Sequence, residues 1–169
     1  MALTGDVKTF RLGAPGNSTQ PMNQPLTANA TVYRGSVATT RSGYLVAASS
    51  PQSTDVVWGL IDKAGPGTAD TGPGITGGTT NGSVTVEIAT GSFFLSNGTG
   101  ADAFTQANVG ATAYLINETT AGATNGSNTR PVCGEFVGLA SNLAPNRPDL
   151  TGMIAVKIGN TAGSTGGPS

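Results

Sequence analysis

Ser83-Val84-Thr85-Val86-Glu87-Ile88-Ala89-Thr90 alternates with a period of two. Val84, Val86 and Ile88 fall on one face, Thr85 and Glu87 on the other, the pattern of a half-buried strand. Gly91 is placed to bend or bulge the chain. Phe93, Phe94 and Leu95 then continue a strand that ends at Asn97-Gly98, a turn signal. The reading extends outward in both directions. Upstream, Thr31 to Ala38, Gly43 to Ala48 and Asp55 to Asp62 are short β-forming runs separated by polar turn residues. Downstream, Ala111 to Ile116, Pro131 to Leu139 and Gly152 to Ile158 repeat the pattern. Short strands at such spacing mark sandwiches and barrels.

No amphipathic helix of useful length appears. Residues 102 to 110 are expected to form one helical turn, with Asp102 or Thr105 as cap and Gly110 as stop. The sequence therefore predicts an all-β fold: a single barrel-like or sandwich domain of about eight strands, with closure hiding the sheet edges. Residues 1 to 29, with their Pro- and Gly-rich stretch from 13, are read as an extended N-terminal arm. The β domain is expected over 30 to 158. Within it, 64 to 82 is a flexible Gly-rich loop and 141 to 149 a second loop carrying Pro145 and Pro148. Residues 159 to 169 are expected to be a flexible tail.

Composition narrows the function. The chain has 169 residues, 26 of them Gly and 10 Pro, and only 10 % are charged, against about 25 % in an ordinary soluble domain. There is no His, which removes the Ser-His-Asp triad, a His general base and a His metal ligand. One Cys allows no internal disulfide and no structural zinc site. A net charge of -1 with eight Lys and Arg lacks the electrostatic footprint for nucleic acid. No apolar run approaches the ~20 residues that span a bilayer, so no membrane partner is expected. The N-terminus has neither the basic flank nor the apolar run of a signal peptide, so folding in a cytoplasm is expected.

The remaining candidates for chemistry each have a plainer reading. The stretches at Gly65-Pro66-Gly67 and Gly72 to Gly78 lack the strand-to-helix setting and the Lys-Ser or Lys-Thr of a phosphate cradle. Glu87 and Glu135 lie on expected strands and could face each other as a glycosidase pair, or simply sit solvated or paired with Lys or Arg. Asp62, Asp70 and Asp102 could hold Ca²⁺ with loop carbonyls, but no EF-hand spacing exists. Cys133, mid-strand and without a His to activate it, reads as a small buried hydrophobe. Trp58 and Phe93 read as core. No catalytic residue, cofactor site or metal site is expected.

Taken in order, several segments resemble the small capsid decoration (cement) proteins of tailed bacteriophages. Leu3-Thr4-Gly5-Asp6, with Thr9 and Arg11 behind, resembles the start of that family. Ala30-Thr31-Val32-Tyr33-Arg34-Gly35-Ser36-Val37-Ala38 is similar to its Tyr-x-Gly-Ser-x-Val strand, and Asp55 to Leu60 falls where it writes a run ending in Gly-x-Ala. Val84 to Phe93 resembles its Val-x-Val-x-x-Gly-x-Phe strand pair. Phe104 to Tyr114 resembles its Ile-Thr-x-Ala-Asp-Val-Gly-x-x-Ala-Tyr segment, and Thr129 to Gly134 its Thr-Arg-x-x-Ala-Gly turn.

The likeness runs from about residue 3 to 158, broken by the 64 to 82 loop, and its persuasive feature is order and spacing. The longer Gly-rich loop and the Asn142 to Leu150 loop depart from the pattern. The resemblance implies a non-enzymatic structural protein of the virion, on the outer capsid surface, made in the bacterial host cytoplasm. It implies contact with the major capsid protein and a homotrimer at or near three-fold positions. Leu3, Thr4, Thr9, Phe10, Arg11 and Leu12 are the arm residues expected to contact the capsid, by β-pairing and apolar contact. Another virion part (head fibre base, tail or receptor-binding module) is the main alternative, and a carbohydrate-binding module a further one.

Overall fold

A computed structural model describes residues 2–7, 22–69 and 72–158. The fold is all-β, with only short helical turns, and its two halves follow one another along the chain. The N-terminal half contributes β1 (Met22–Pro25), β2 (Thr31–Val32), β3 (Val37–Arg41), β4 (Tyr44–Val46), β5 (Val56–Ala64), β6 (Ile75–Thr76) and β7 (Thr85–Ala89). The C-terminal half contributes β8 (Gly91–Asn97), β9 (Thr112–Asn117), β10 (Thr120–Gly122), β11 (Val132–Leu139), the single-turn helix α1 (Ala140–Leu143) and β12 (Met153–Ile158).

Five strands of the first half form a sheet in the order β1-β7-β5-β3-β4. The sheet curls until its two edges meet: Leu26, just past β1, bridges Leu45 of β4 in parallel, and the Thr27 N–H donates to the Leu45 carbonyl at 3.0 Å. The β2–β6 ribbon lies apart from this sheet. From it Val32 and Ile75 join Leu26, Ala38, Leu45, Ile61, Val86 and Ile88 in one buried apolar cluster. The alternation in β7 thus has the face expected of it, with Val86 and Ile88 buried and Val84 packed against them. The β3–β4 hairpin turns on Ser42 and Gly43, both with positive φ, 53° and 85°. Two successive positive φ values are what a tight hairpin matching the strand twist requires.

At Thr90–Gly91 the chain leaves this sheet and enters a closed barrel, β10-β8-β12-β11-β9. Gly91 takes φ 134°, a conformation that only glycine adopts freely, and it is the corner between the halves. Alternate residues of β8 and β12 point inward: Phe93, Leu95, Ile154, Val156 and Ile158. Phe104 and Phe136 stack there with ring centroids 4.4 Å apart. Val37, Val57 and Leu60 of the first half belong to the same core, so the two halves are joined by continuous apolar packing. On the outer side of β8, Phe94 packs with Ala140, Leu150 and Ala155 beneath the loop containing α1.

The structure differs from expectation at five places. Twelve strands are found among the described residues, because β1, β2, β6 and β10 are too short to carry a readable alternation. The run Thr31–Ala38 is two strands, interrupted at Gly35 with φ 80°. Residues 22 to 29, assigned to the arm, belong to the body, since β1 pairs with β7 and Leu26 is wholly buried. Residues 102 to 110 hold no continuous helical turn but two 3-10 turns, Gly100–Asp102 and Gln106–Asn108. Burial of Phe104 on Phe136 holds the chain extended between them. Within 64 to 82, Ile75 is buried and β6 pairs with β2, which pins the middle of that loop. The expected tail, 159 to 169, lies outside the described residues, as do residues 1 and 8 to 21 of the arm.

Candidate functional site

The functional expectation rests on the N-terminal segment, and residues 2–7 of it are described. They lie on the body where its two halves meet. The Val7 N–H donates to the Arg34 carbonyl at 2.6 Å. The Asp6 carboxylate accepts three hydrogen bonds: from the Arg34 N–H at 3.0 Å, from Arg34 Nη1 at 2.8 Å and from the Gly74 N–H at 3.0 Å. Arg34 Nη1 also donates to the Gly72 carbonyl at 2.9 Å. One carboxylate therefore ties the N-terminal segment to the turn between β2 and β3 and to the loop before β6. At the other end, the Leu3 N–H points to Oε1 of the buried Glu118 at 3.5 Å, a long contact.

Gly35 makes the seat possible. A Cβ there would lie 2.0 Å from the Val7 carbonyl oxygen, and φ of 80° strains any L side chain. Between the segment and the barrel wall is a crevice of about 200 Å³, lined by Leu3, Val7, Gly35, Phe94, Leu95 and Met153 among others. Its walls come from both halves of the chain.

Burial disfavours the charged form of Asp6, but the Arg34 N–H and guanidinium and the Gly74 N–H outweigh it, holding the carboxyl below its ordinary value. A lowered carboxylate pKa stabilises the seated form above the unfolded value, and that contribution fades as pH falls through the lowered one. The effect is modest because the pair is partly exposed. Asp6→Asn is expected to loosen residues 2–7 at neutral pH without unfolding the body. Faster exchange of the Val7 amide, with core amides unchanged, is the expected signature. An unchanged Val7 amide would show that Asp6 does not hold the segment.

Of the expected contact residues, Leu3 is half-buried in this seat and Thr4 is exposed. Thr9, Phe10, Arg11 and Leu12 lie outside the described residues. The seat's own residues Arg34, Gly35, Gly74 and Glu118 were not anticipated. The one available signal was Gly35 inside a strand-like run, since an isolated glycine there marks a bulge or a close backbone approach.

The other candidates are dispersed. Glu87, on β7 in the first half, pairs with Lys63 at 3.3 Å. Glu135, on β11 in the barrel, stands opposite Lys157 of β12. The two carboxylates therefore belong to different sheets. Asp62 is an exposed strand residue, Asp102 is engaged by Arg130 Nη1 at 2.7 Å and by the Thr124 hydroxyl, and Asp70 lies outside the described residues. Among the described residues no group of three or more Cys, Asp or Glu is placed to hold a metal ion. Cys133 is buried, and burial pushes its thiol up to about 12, far from the thiolate form a nucleophile needs. Trp58 is half-buried and its indole N–H donates to the Thr40 hydroxyl at 2.8 Å, while Phe93 is core.

Compared with family models, with curated proteins and with solved structures, the chain matches none of them.

Proposed function

We propose that this chain is a structural virion protein that binds the outer surface of the expanded phage capsid and stabilises contacts between major capsid subunits. The observation that carries the reading is the order of the family-like segments on one all-β body. They fall on the N-terminal segment, on β2 and β3, on β5, across the β7–β8 corner, on the turn leading into β9 and on β11. In this reading the exposed Thr4 and residues Thr9, Phe10, Arg11 and Leu12 meet the major capsid protein, while Leu3, Asp6 and Val7 keep the segment attached to its own body. Three copies around a three-fold axis, repeated over the capsid, make weak single contacts strong collectively.

The test is co-sedimentation of the purified protein with expanded heads that lack it, beside unexpanded proheads. Saturable binding to expanded heads alone, in fixed ratio to the major capsid protein, is the expected result. Deleting residues 1 to 12 should abolish that binding while the body stays folded. Absence of binding to either particle would overturn the reading and favour a tail or fibre component. Undiminished binding by the truncated protein would overturn the role of the N-terminal segment.

A further inference from the structure

The sequence contains three Asn-Gly pairs, Asn81–Gly82, Asn97–Gly98 and Asn125–Gly126. Asn-Gly is the dipeptide most open to internal cyclisation, because glycine puts no side chain in the way of its own amide nitrogen. The fold treats the three pairs differently. The Gly82 N–H donates to the Leu26 carbonyl at 2.9 Å, and the Gly98 N–H to the Ala121 carbonyl at 2.9 Å. The Gly126 N–H has no acceptor among the described residues.

The surroundings of Asn125 add to the contrast. Gly126, Ser127 and Asn128 have φ of 59°, 58° and 66°, three successive residues in the left-handed region. Two of them carry side chains, so this turn is strained. An N–H reaches the side-chain oxygen of all three asparagines, from Asn128 at 3.3 Å for Asn125 and from Ala28 and Phe104 at 2.8 Å for Asn81 and Asn97, so the contrast lies in the glycine amides and the turn.

We propose that Asn125 is a self-modification site, independent of the capsid reading. The Gly126 nitrogen loses its proton and attacks Cγ of Asn125, closing a five-membered imide by a favourable intramolecular step. The Cγ–Nδ2 bond breaks and ammonia leaves with the proton. Water then opens the imide at either carbonyl carbon, its hydroxyl going to carbon and its proton to nitrogen. Opening at Cγ gives aspartate, and opening at the main-chain carbonyl gives isoaspartate. Overall, one water is consumed and one ammonia released.

The product changes the local structure. A carboxylate at 125 cannot donate the present 2.7 Å hydrogen bond from Nδ2 to Asn128 Oδ1, and two oxygens face each other instead. It also brings a second anion to the turn that holds Arg130, which now pairs with Asp102 at 2.7 Å. Isoaspartate lengthens the main chain at the residue whose carbonyl accepts from the Thr129 and Arg130 N–H groups at 3.1 and 3.2 Å. The 123 to 131 loop is therefore the segment expected to loosen.

The test incubates the folded full chain in mildly alkaline buffer and follows it by ion exchange and peptide mass spectrometry. A species whose net charge moves from -1 to -2 should accumulate, with the mass change at Asn125. In the folded protein Asn125 should react about tenfold faster than Asn81 or Asn97, whose glycine amides must first be released by local opening. In urea the three should react at similar rates. Asn125→Gln, which would need a six-membered ring, should suppress the acidic species, and Asn81→Gln should not. The proposal is overturned if Asn81 or Asn97 leads in the folded protein, or if the preference for Asn125 persists unchanged in urea.

Discussion

Arg41→Ala is expected to destabilise the fold by about 3–5 kcal/mol, and by more than Asp55→Ala. Arg41 ends β3 and Asp55 immediately precedes β5. The guanidinium donates to both carboxylate oxygens, Nε to Oδ1 and Nη2 to Oδ2, each at 2.8 Å. The Gln52 N–H donates to Oδ2 at 2.9 Å, and Nη2 reaches the Ser50 carbonyl at 3.3 Å. The pair therefore closes the 47 to 55 loop onto the sheet. Its two partners differ in exposure: the Asp55 side chain is 0 % exposed, the Arg41 side chain 35 %. Removing Arg41 leaves a carboxylate in the interior with only Gln52 to satisfy it, the costly case. Removing Asp55 leaves a guanidinium that water can still reach, and Gln52 is exposed. Urea unfolding of both single variants and the double variant measures this. The double variant should be more stable than Arg41→Ala alone. Equal losses in the two single variants would refute the account.

Gly134→Ala is expected to cost about 3 kcal/mol, lowering Tm by roughly 6–12 °C for a chain of this size. Gly134 lies on β11, where a Cβ would come within 2.1 Å of the Lys157 carbonyl oxygen on β12 and 3.0 Å of its carbon. The obstacle is backbone, so no side chain can swing aside. An open sheet could splay to admit a methyl group, but β11 and β12 belong to a closed wall, and parting them there strains the pairings with β9 and β8. Gly72→Ala is the matched control, since nothing lies within 4 Å of its built Cβ and its φ is not in the left-handed region. It should change stability by less than about 0.5 kcal/mol. A Gly134→Ala protein that melts with the wild type would show that the wall yields more easily than its geometry implies.

The long strands were legible because their periodicity survives packing. In β7 the apolar residues alternate, and in β12 Ile154, Val156 and Ile158 do the same, so one face could be assigned to a core from the residues alone. The short strands were not legible. Thr31–Val32 and Ile75–Thr76 each offer two residues, and their pairing is decided by Val32 and Ile75 finding one apolar cluster from distant parts of the chain. Met22–Pro25 carries two polar residues and a proline, and it becomes a strand only because the edge of β7 is there to pair with it. In the 102 to 110 segment Thr105 does cap a turn, Gln106–Asn108, but the gain from burying Phe104 keeps that turn from joining the one at Gly100–Asp102. The seat of the N-terminal segment was legible in part. Asp6 stood within a recognised stretch, but its partners Arg34 and Gly74 lie in separate loops that only the tertiary fold brings together.

The corner at Thr90–Gly91 gives the order of assembly a direction. Every strand of the first sheet precedes it, so on a ribosome those pairings are available before any barrel strand has been made. Until then Val37, Val57 and Leu60 have no apolar partner from the barrel. The crevice under residues 2–7 comes later still, because Met153 on β12 is one of its walls. Residues 2–7 thus acquire their complete resting place only once β12 has been made, and an occupied seat is a record that both halves have closed.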